Sequence, residues 1–357
     1  MKLHCIPILS ALFTSLVCFS NPATKISDNS PSSGIVIRWN DCEQTIDGFG
    51  IAQAGWAKEL FAFKNRKQVM DKMFGNDGLR LNILRGEIFP HYWENKEDKD
   101  FNLNDDINIE LCDSDFNNKS DDLLRRGQLW LTLEAKNKYH INKLVFSTWS
   151  APAWMKSNGK VSNGKLKPEC YQDFANYLAA FYKAYKSKGI TPYAISPSNE
   201  PGYAAPWNSS LWTADEMGKF ITSNLGPTFQ KENIPAKIIF GENPLWSVVM
   251  PQLKMVSSKD FTDTILQDYP EIKKFNLIAA GHGYSLSPDI MPIKVDKEYL
   301  KTPIIPFDAA EKAHIPVWIT EISDVTPLDT SIQDGLKWAV TFHNYLTKAN
   351  VNAIIWW

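Results

Sequence analysis

Short apolar runs rich in β-branched residues recur along the chain, and a stretch with helical periodicity follows nearly all of them. IDGFGIAQ (46–53) precedes a helical stretch around 57–74, and LRLNILRGEI (79–88) precedes one near 122–139. KLVFSTWS (143–150) precedes 169–188, and AISPSNE (194–200) precedes a helix opening at Thr213. KIIFGEN (237–243) leads into helical pieces between 252 and 275. LIAAGHGY (277–284) precedes 308–314, PVWITEIS (316–323) precedes 331–349, and NAIIWW (352–357) closes the chain. Runs this short and this uniformly apolar read as strands buried on both faces, as in a parallel sheet. Eight of them with helices between predict an α/β fold, a (β/α)8 TIM barrel spanning 46–357. A doubly wound open sheet is the competing architecture. It lacks support, because IDGFGIAQ carries only a Gly-x-Gly fragment and no acidic ribose partner is placed for it.

The pattern breaks at both ends. Residues 1–20 have Lys2, then an uncharged apolar stretch from Cys5 to Phe19, with Cys18 and Ser20 as small residues at cleavage-site spacing. This predicts a secretory signal peptide, too short for a comfortable membrane span. A lipoprotein anchored at Cys18 is the rival, with Val17 a poor residue before such a cysteine. Residues 21–33 are rich in Ser, Asn, Pro and Lys and read as a linker, and GIVIRW (34–39) alternates like an edge strand. At the other end the chain stops with the eighth strand, where a closed barrel calls for one more helix. The expectation is a barrel lacking its last helix.

Composition narrows the partners. With 357 residues, 44% of them hydrophobic, the chain can bury a sizeable core. A net charge of -2 offers no footprint for a polyanion, so nucleic acid is not an expected partner. No segment after the leader is long and apolar enough to span a bilayer. Beyond the leader, Cys42, Cys112 and Cys170 are odd in number and widely spaced, which indicates neither a disulfide framework nor a metal site. Buried or free thiols are expected.

The chemistry gathers at strand ends. In a barrel of this type, reacting groups sit at the C-terminal tips of the strands. Glu200 stands at the tip of the fourth run, cut off by Pro201 and Gly202, and Glu321 stands near the tip of the seventh. Carboxylates are rarely buried without a partner, so a glutamate there calls for a reason. Strict alternation puts Val317, Ile319 and Glu321 on one face and Trp318 on the opposite, helix-facing side. It also sends Asn199 away from Glu200, so a bulge or twist is needed if both serve one site. Glu87 and Glu242 end the second and fifth runs and are expected only to bind loop backbone or an arginine.

IDGFG, LRLNILRGEI, STWSAPAWMKSNG, ISPSNEPGY with the following WTADEM, WITEIS and the terminal AIIWW occur together and in order. In these stretches the sequence resembles glycoside hydrolase family 30, retaining barrel glycosidases, over nearly all of the chain after Thr45. The resemblance implies Glu200 as acid/base, Glu321 as nucleophile, Arg85 as the arginine ending strand two, and Asn199 as the amide beside the acid. It implies cleft aromatics at Trp149 or Trp154 and at one of Trp356 and Trp357, and a tyrosine near the nucleophile at Tyr284. His282, Trp207 and Trp212 are further candidates. It also implies a side β-sandwich, to which residues 34–45 give a strand and whose C-terminal part this sequence lacks.

The expected function is therefore retaining hydrolysis of β-glycosidic bonds in an oligo- or polysaccharide, with no cofactor or metal, by a secreted, periplasmic or cell-surface monomer. Glu321's charge is expected to hold the proton on Glu200. Endo-β-xylanase action leads; β-1,6-glucanase, β-1,6-galactanase and glucosylceramidase-type activities are the alternatives within the family. An inactive carbohydrate-binding surface protein is the alternative outside catalysis. A serine or zinc hydrolase is disfavoured, since neither Gly-x-Ser-x-Gly nor His-Glu-x-x-His occurs.

Overall fold

A computed structural model describes residues 37–357 except 54–55, 94, 98–126, 248–255, 285–302 and 325–328. The leader, the linker and much of the loop after the second strand lie outside the described residues. So does Cys112; Cys42 is exposed and Cys170 buried, both as free thiols.

The eight runs form parallel strands: β1 Gly48–Ala52, β2 Ile83–Glu87, β3 Lys143–Ser147, β4 Ala194–Ser196, β5 Lys237–Gly241, β6 Leu277–His282, β7 Val317–Ile322 and β8 Ala353–Trp356. They pair in chain order, and β8 returns to β1 through Gly48 opposite Ala353. The sheet is a closed barrel, which rules out the open alternative.

Two apolar layers follow from alternation. Ile83, Val145, Ala194, Ile239, Ile278, Trp318 and Ile355 fill the barrel interior. Their neighbours Leu84, Leu144, Phe146, Ile195, Ile238, Phe240 and Ile354 face the surrounding helices. Trp318 therefore lies inside the barrel, correcting the helix-facing expectation. Its indole N–H donates to Asp47 at 2.9 Å, and Tyr193 stacks on it with an interplanar angle of 8°.

The helices cover that barrel with their apolar faces. They are α1 Ala57–Ala62, α2 Arg66–Phe74, α3 Gln128–Tyr139, α4 Tyr171–Ser187, α5 Ala214–Phe220, α6 Gly226–Lys231, α7 Ser258–Asp268, α8 Asp308–Lys312 and α9 Ile332–Lys348. In α4, Phe174, Tyr177, Leu178, Phe181, Tyr182 and Tyr185 repeat at three- and four-residue intervals and are all buried. Helix α5 starts after Thr213 as expected. Thr213 accepts from the Glu216 amide while the Glu216 carboxylate accepts from Thr213, a capping box.

Residues 37–43 belong to a unit separate from 44–357. Ile37, Arg38 and Trp39 are exposed and in no strand, and the rest of the 34–39 run lies outside the described residues. A strand needs a neighbour to take its hydrogen bonds. Here a turn closes instead, the Asp41 amide donating to the Arg38 carbonyl. Among the described residues no helix is long and apolar enough to cross a membrane.

Candidate active site

The acids reach one place because the strand ends leave regular geometry. Strand β4 stops at Ser196. The Asn199 N–H then donates to the Thr148 carbonyl at 2.7 Å, and Glu200 turns left-handed at φ 46° with its N–H on the Glu242 carbonyl at 3.0 Å. Glu242 is itself left-handed, φ 40°, just after Gly241 at φ 109°. A non-glycine residue in that region costs about 1–3 kcal/mol and persists only where its surroundings hold it. The break in alternation lets Asn199 and Glu200 serve the same site, as the sequence required.

Strand β7 does the equivalent with a register shift between Ile319 and Ile322 against β8. On β6, Gly281 faces Ile319 while His282 faces Glu321. Val317 and Ile319 point to the helices, and the shift brings Glu321 round to the barrel mouth. Glu321 does not share their face, because the extra residue of a bulge reverses the alternation.

Arg85 organises the cluster. Fully buried, it donates from Nη1 to Glu321 Oε2 at 2.7 Å and from Nη2 to Asn199 Oδ1 at 2.7 Å and Glu242 Oε1 at 3.2 Å. Its Nε–H reaches Ser147 Oγ at 3.3 Å. The Tyr284 hydroxyl donates to the other oxygen, Glu321 Oε1, at 2.7 Å. Glu321 is thus held from both sides. Burial, then the neighbouring Glu321, pushes the Tyr284 hydroxyl well above its ordinary value, so it stays a donor.

Glu200 is nearly enclosed, and burial is the main reason its carboxyl is pushed up to about 7. Arg85 pulls it down and Glu242 raises it further. Burial, not Glu321's charge, therefore keeps the proton on Glu200. The physical reason is lost hydration, which disfavours the charged form of an enclosed carboxyl. His282 Nδ1 lies 3.1 Å from Glu200 Oε1. Burial lowers the pKa of His282, so the ring is favoured in its neutral form.

Oxygens of Glu200 and Glu321 and a ring nitrogen of His282 all lie within 4.8 Å of one another, a spacing that would admit a metal ion. Arg85 and Tyr284 already occupy both Glu321 oxygens, so the set reads better as a proton-transfer site.

The candidate aromatics divide. Trp149 lies under the Arg85 guanidinium, 4.8 Å from ring centre to Cζ, with Trp357 at 5.8 Å beside it. Trp154 instead donates to the Trp93 carbonyl and packs edge-on against that ring. Trp356 packs on Trp338 and Phe342 of α9 in the outer layer. Trp212 is buried among Tyr171, Phe174 and Phe220, so it is core rather than cleft wall. Trp207 is 53% exposed.

Glu242 binds an arginine as expected, and Ser147 is the residue that the sequence did not single out. Ser147 Oγ sits 3.2–3.3 Å from both Glu242 oxygens. The signal available was Arg85 itself: a fully buried guanidinium needs more than one acceptor.

A model of O-glycosyl hydrolase family 30 matches residues 32–357. The chain belongs to that family. Among family 30 relatives and neighbours, the glucuronoxylanase XynC of Bacillus subtilis is 26% identical over 232 residues, 62% of this chain and 47% of the relative. The lysosomal acid glucosylceramidase of Mus musculus is 30% identical over 152 residues, 40% of this chain and 27% of that protein. The chain spans less than half the length of either curated relative. The catalytic domain of a family 30 xylanase C from Talaromyces cellulolyticus has the same fold, with a TM-score of 0.65 at 22% identity, over 88% of this chain and 68% of that one.

Proposed function

We propose that this family 30 chain is a retaining glycoside hydrolase cleaving β-glycosidic bonds, with Glu200 as acid/base and Glu321 as nucleophile. One observation carries the reading. A carboxyl that burial pushes up to about 7 lies beside a second glutamate held from both sides, with oxygens within 4.8 Å. Retaining enzymes need paired carboxyls about 5–5.5 Å apart, whereas inverting ones need about 6.5–9.5 Å to admit a water.

In the first step a Glu321 oxygen bonds to the anomeric carbon as the bond to the leaving oxygen breaks. Glu200 gives its proton to that oxygen. Arg85 takes the Asn199 carbonyl oxygen, which leaves the Asn199 NH2 free to donate to a sugar hydroxyl beside the reacting carbon. Esterification then removes Glu321's charge. Arg85's charge, no longer shared with Glu321, pulls the Glu200 pKa down further; Glu200 takes a proton from water as the water oxygen bonds to the anomeric carbon and the ester bond to Glu321 breaks. No metal or organic cofactor enters this sequence.

The substrate we propose is a β-linked polysaccharide, with xylan first, as the named activity of the XynC relative supports. β-1,6-Glucan, β-1,6-galactan and glucosylceramide are the alternatives within the family, the last supported by the glucosylceramidase relative. A polymer must be met outside the cytoplasm, and the leader pattern of residues 1–20 supports export. The test is a panel of β-glycans and activated β-glycosides, read as new reducing ends or released leaving group. Cleavage by the wild type and none by Glu321→Gln is expected. A wild type that cleaves nothing on the panel would sink the reading.

A further inference from the structure

We propose that Trp207, with Tyr203 beside it, is a stacking platform for the sugar on the leaving-group side of the scissile bond. The leaving group is then itself a pyranose of a β-linked glycan rather than a lipid. The inference rests on the reading of Glu200 as the acid and names what lies on its far side. A general acid must sit against the departing oxygen, so residues carried by its own loop flank the departing group. That loop runs straight on from Glu200: the Tyr203 amide donates to the Glu200 carbonyl at 2.9 Å, and the Trp212 amide to Pro201 at 2.8 Å. The other aromatic wall, Trp149 and Trp357, stands with Arg85 beside Glu321.

An exposed indole can be accidental; this one is built. Tyr203 packs against Trp207 with centroids 6.1 Å apart at 67°. The backbone beneath is braced by buried polar groups that the chemistry at Glu200 and Glu321 leaves unused. Asn208 bridges to Ser162, and its side chain donates to Glu87, whose carboxyl burial pushes up to about 8. The Ser209 amide donates to Val161 at 3.0 Å, and its hydroxyl to Ala205 at 2.9 Å. Lys156, fully buried, donates from Nζ to the Ser209 carbonyl, to Ser210 Oγ at 2.9 Å and to Ser150 Oγ at 3.1 Å. These acceptors are neutral, and burial brings the Lys156 amine down to about 7. Burying a lysine among hydroxyls and a carbonyl is costly. Here it ties the loop after β3 to the loop that carries Trp207. An exposed aromatic face on the braced loop that continues from the acid matches the apolar face of a pyranose ring, which it binds with little ordering cost.

The experiment compares wild type, Trp207→Ala and Trp207→Phe on two substrates with the same glycone. One is an oligosaccharide of whichever β-glycan the wild type cleaves, and the other the β-glycosyl fluoride, whose leaving group has no ring. The ratio of kcat/KM for oligosaccharide to that for fluoride should fall roughly tenfold in Trp207→Ala, equivalent to about 1.4 kcal/mol, and largely recover in Trp207→Phe. An unchanged ratio overturns the platform while leaving the hydrolase reading intact. Oligosaccharide titrations in the Glu321→Gln background separate the two claims. If binding weakens with Trp207→Ala while the kcat/KM ratio is unchanged, Trp207 touches sugar away from the leaving group and the platform is overturned. Binding indifferent to Trp207, or no binding, overturns the platform.

Discussion

Glu200 keeps its proton because it is buried, and Glu321 keeps its place because Arg85 and Tyr284 each hold one of its oxygens. Two outcomes follow. Glycosylation needs Glu200 protonated, so kcat/KM on substrates with poor leaving groups should fall as pH rises through about 7. Glu200→Ala should lose that limb, retain the first step on activated leaving groups, and be accelerated by added azide in the second. An unchanged alkaline limb in the variant would contradict the assignment. Tyr284→Phe removes one charged hydrogen bond, typically about 1.5–3 kcal/mol, so kcat should drop roughly ten- to hundredfold with little change in melting temperature. The acids were legible in the sequence because Asn-Glu-Pro and Thr-Glu-Ile-Ser interrupt apolar strands. The split between Trp149 and Trp154 was not, since both sit in one loop and only its folded path decides which ring meets Arg85.

At the scale of elements, alternation read the strands well until they ended. The interior row of Ile83, Val145, Ala194 and Ile239 follows directly from period-two patterning. The β7 bulge does not. A bulge is a property of pairing with neighbours, and a single strand's sequence carries no mark of it. Trp318 shows the consequence, since counting back from Glu321 through an unmarked bulge puts it on the wrong side of the sheet. Its indole fills the barrel between Tyr193 and Asp47. Trp318→Ala should therefore cost about 3–5 kcal/mol of stability in a denaturant melt. Loss below about 1 kcal/mol would mean that Trp318 lies outside the packed core.

The whole molecule was legible as a barrel because eight short apolar runs with covering helices leave few other closed solutions. Its surface was harder to read. On α9, Ile332, Leu336 and Val340 form a four-residue-spaced stripe that is 70%, 58% and 60% exposed. Helical periodicity marked the apolar positions but could not tell which of two apolar faces meets the barrel; Trp338, Phe342 and Tyr345 do. Replacing the three stripe residues with Lys or Glu should leave both melting temperature and kcat/KM nearly unchanged, as for surface positions. A large fall in melting temperature would show that the stripe is packed instead. The central claim is double displacement through Glu321 with Glu200 as its acid. Its most direct test is peptide mass mapping after incubation with an activated 2-deoxy-2-fluoro β-glycoside of the preferred glycone, whose fluorine slows hydrolysis of the glycosyl-enzyme while its leaving group keeps the first step fast. A single glycosyl adduct on Glu321 is expected; an adduct on Glu200, or hydrolysis with inverted anomeric configuration and no adduct, would contradict double displacement through Glu321.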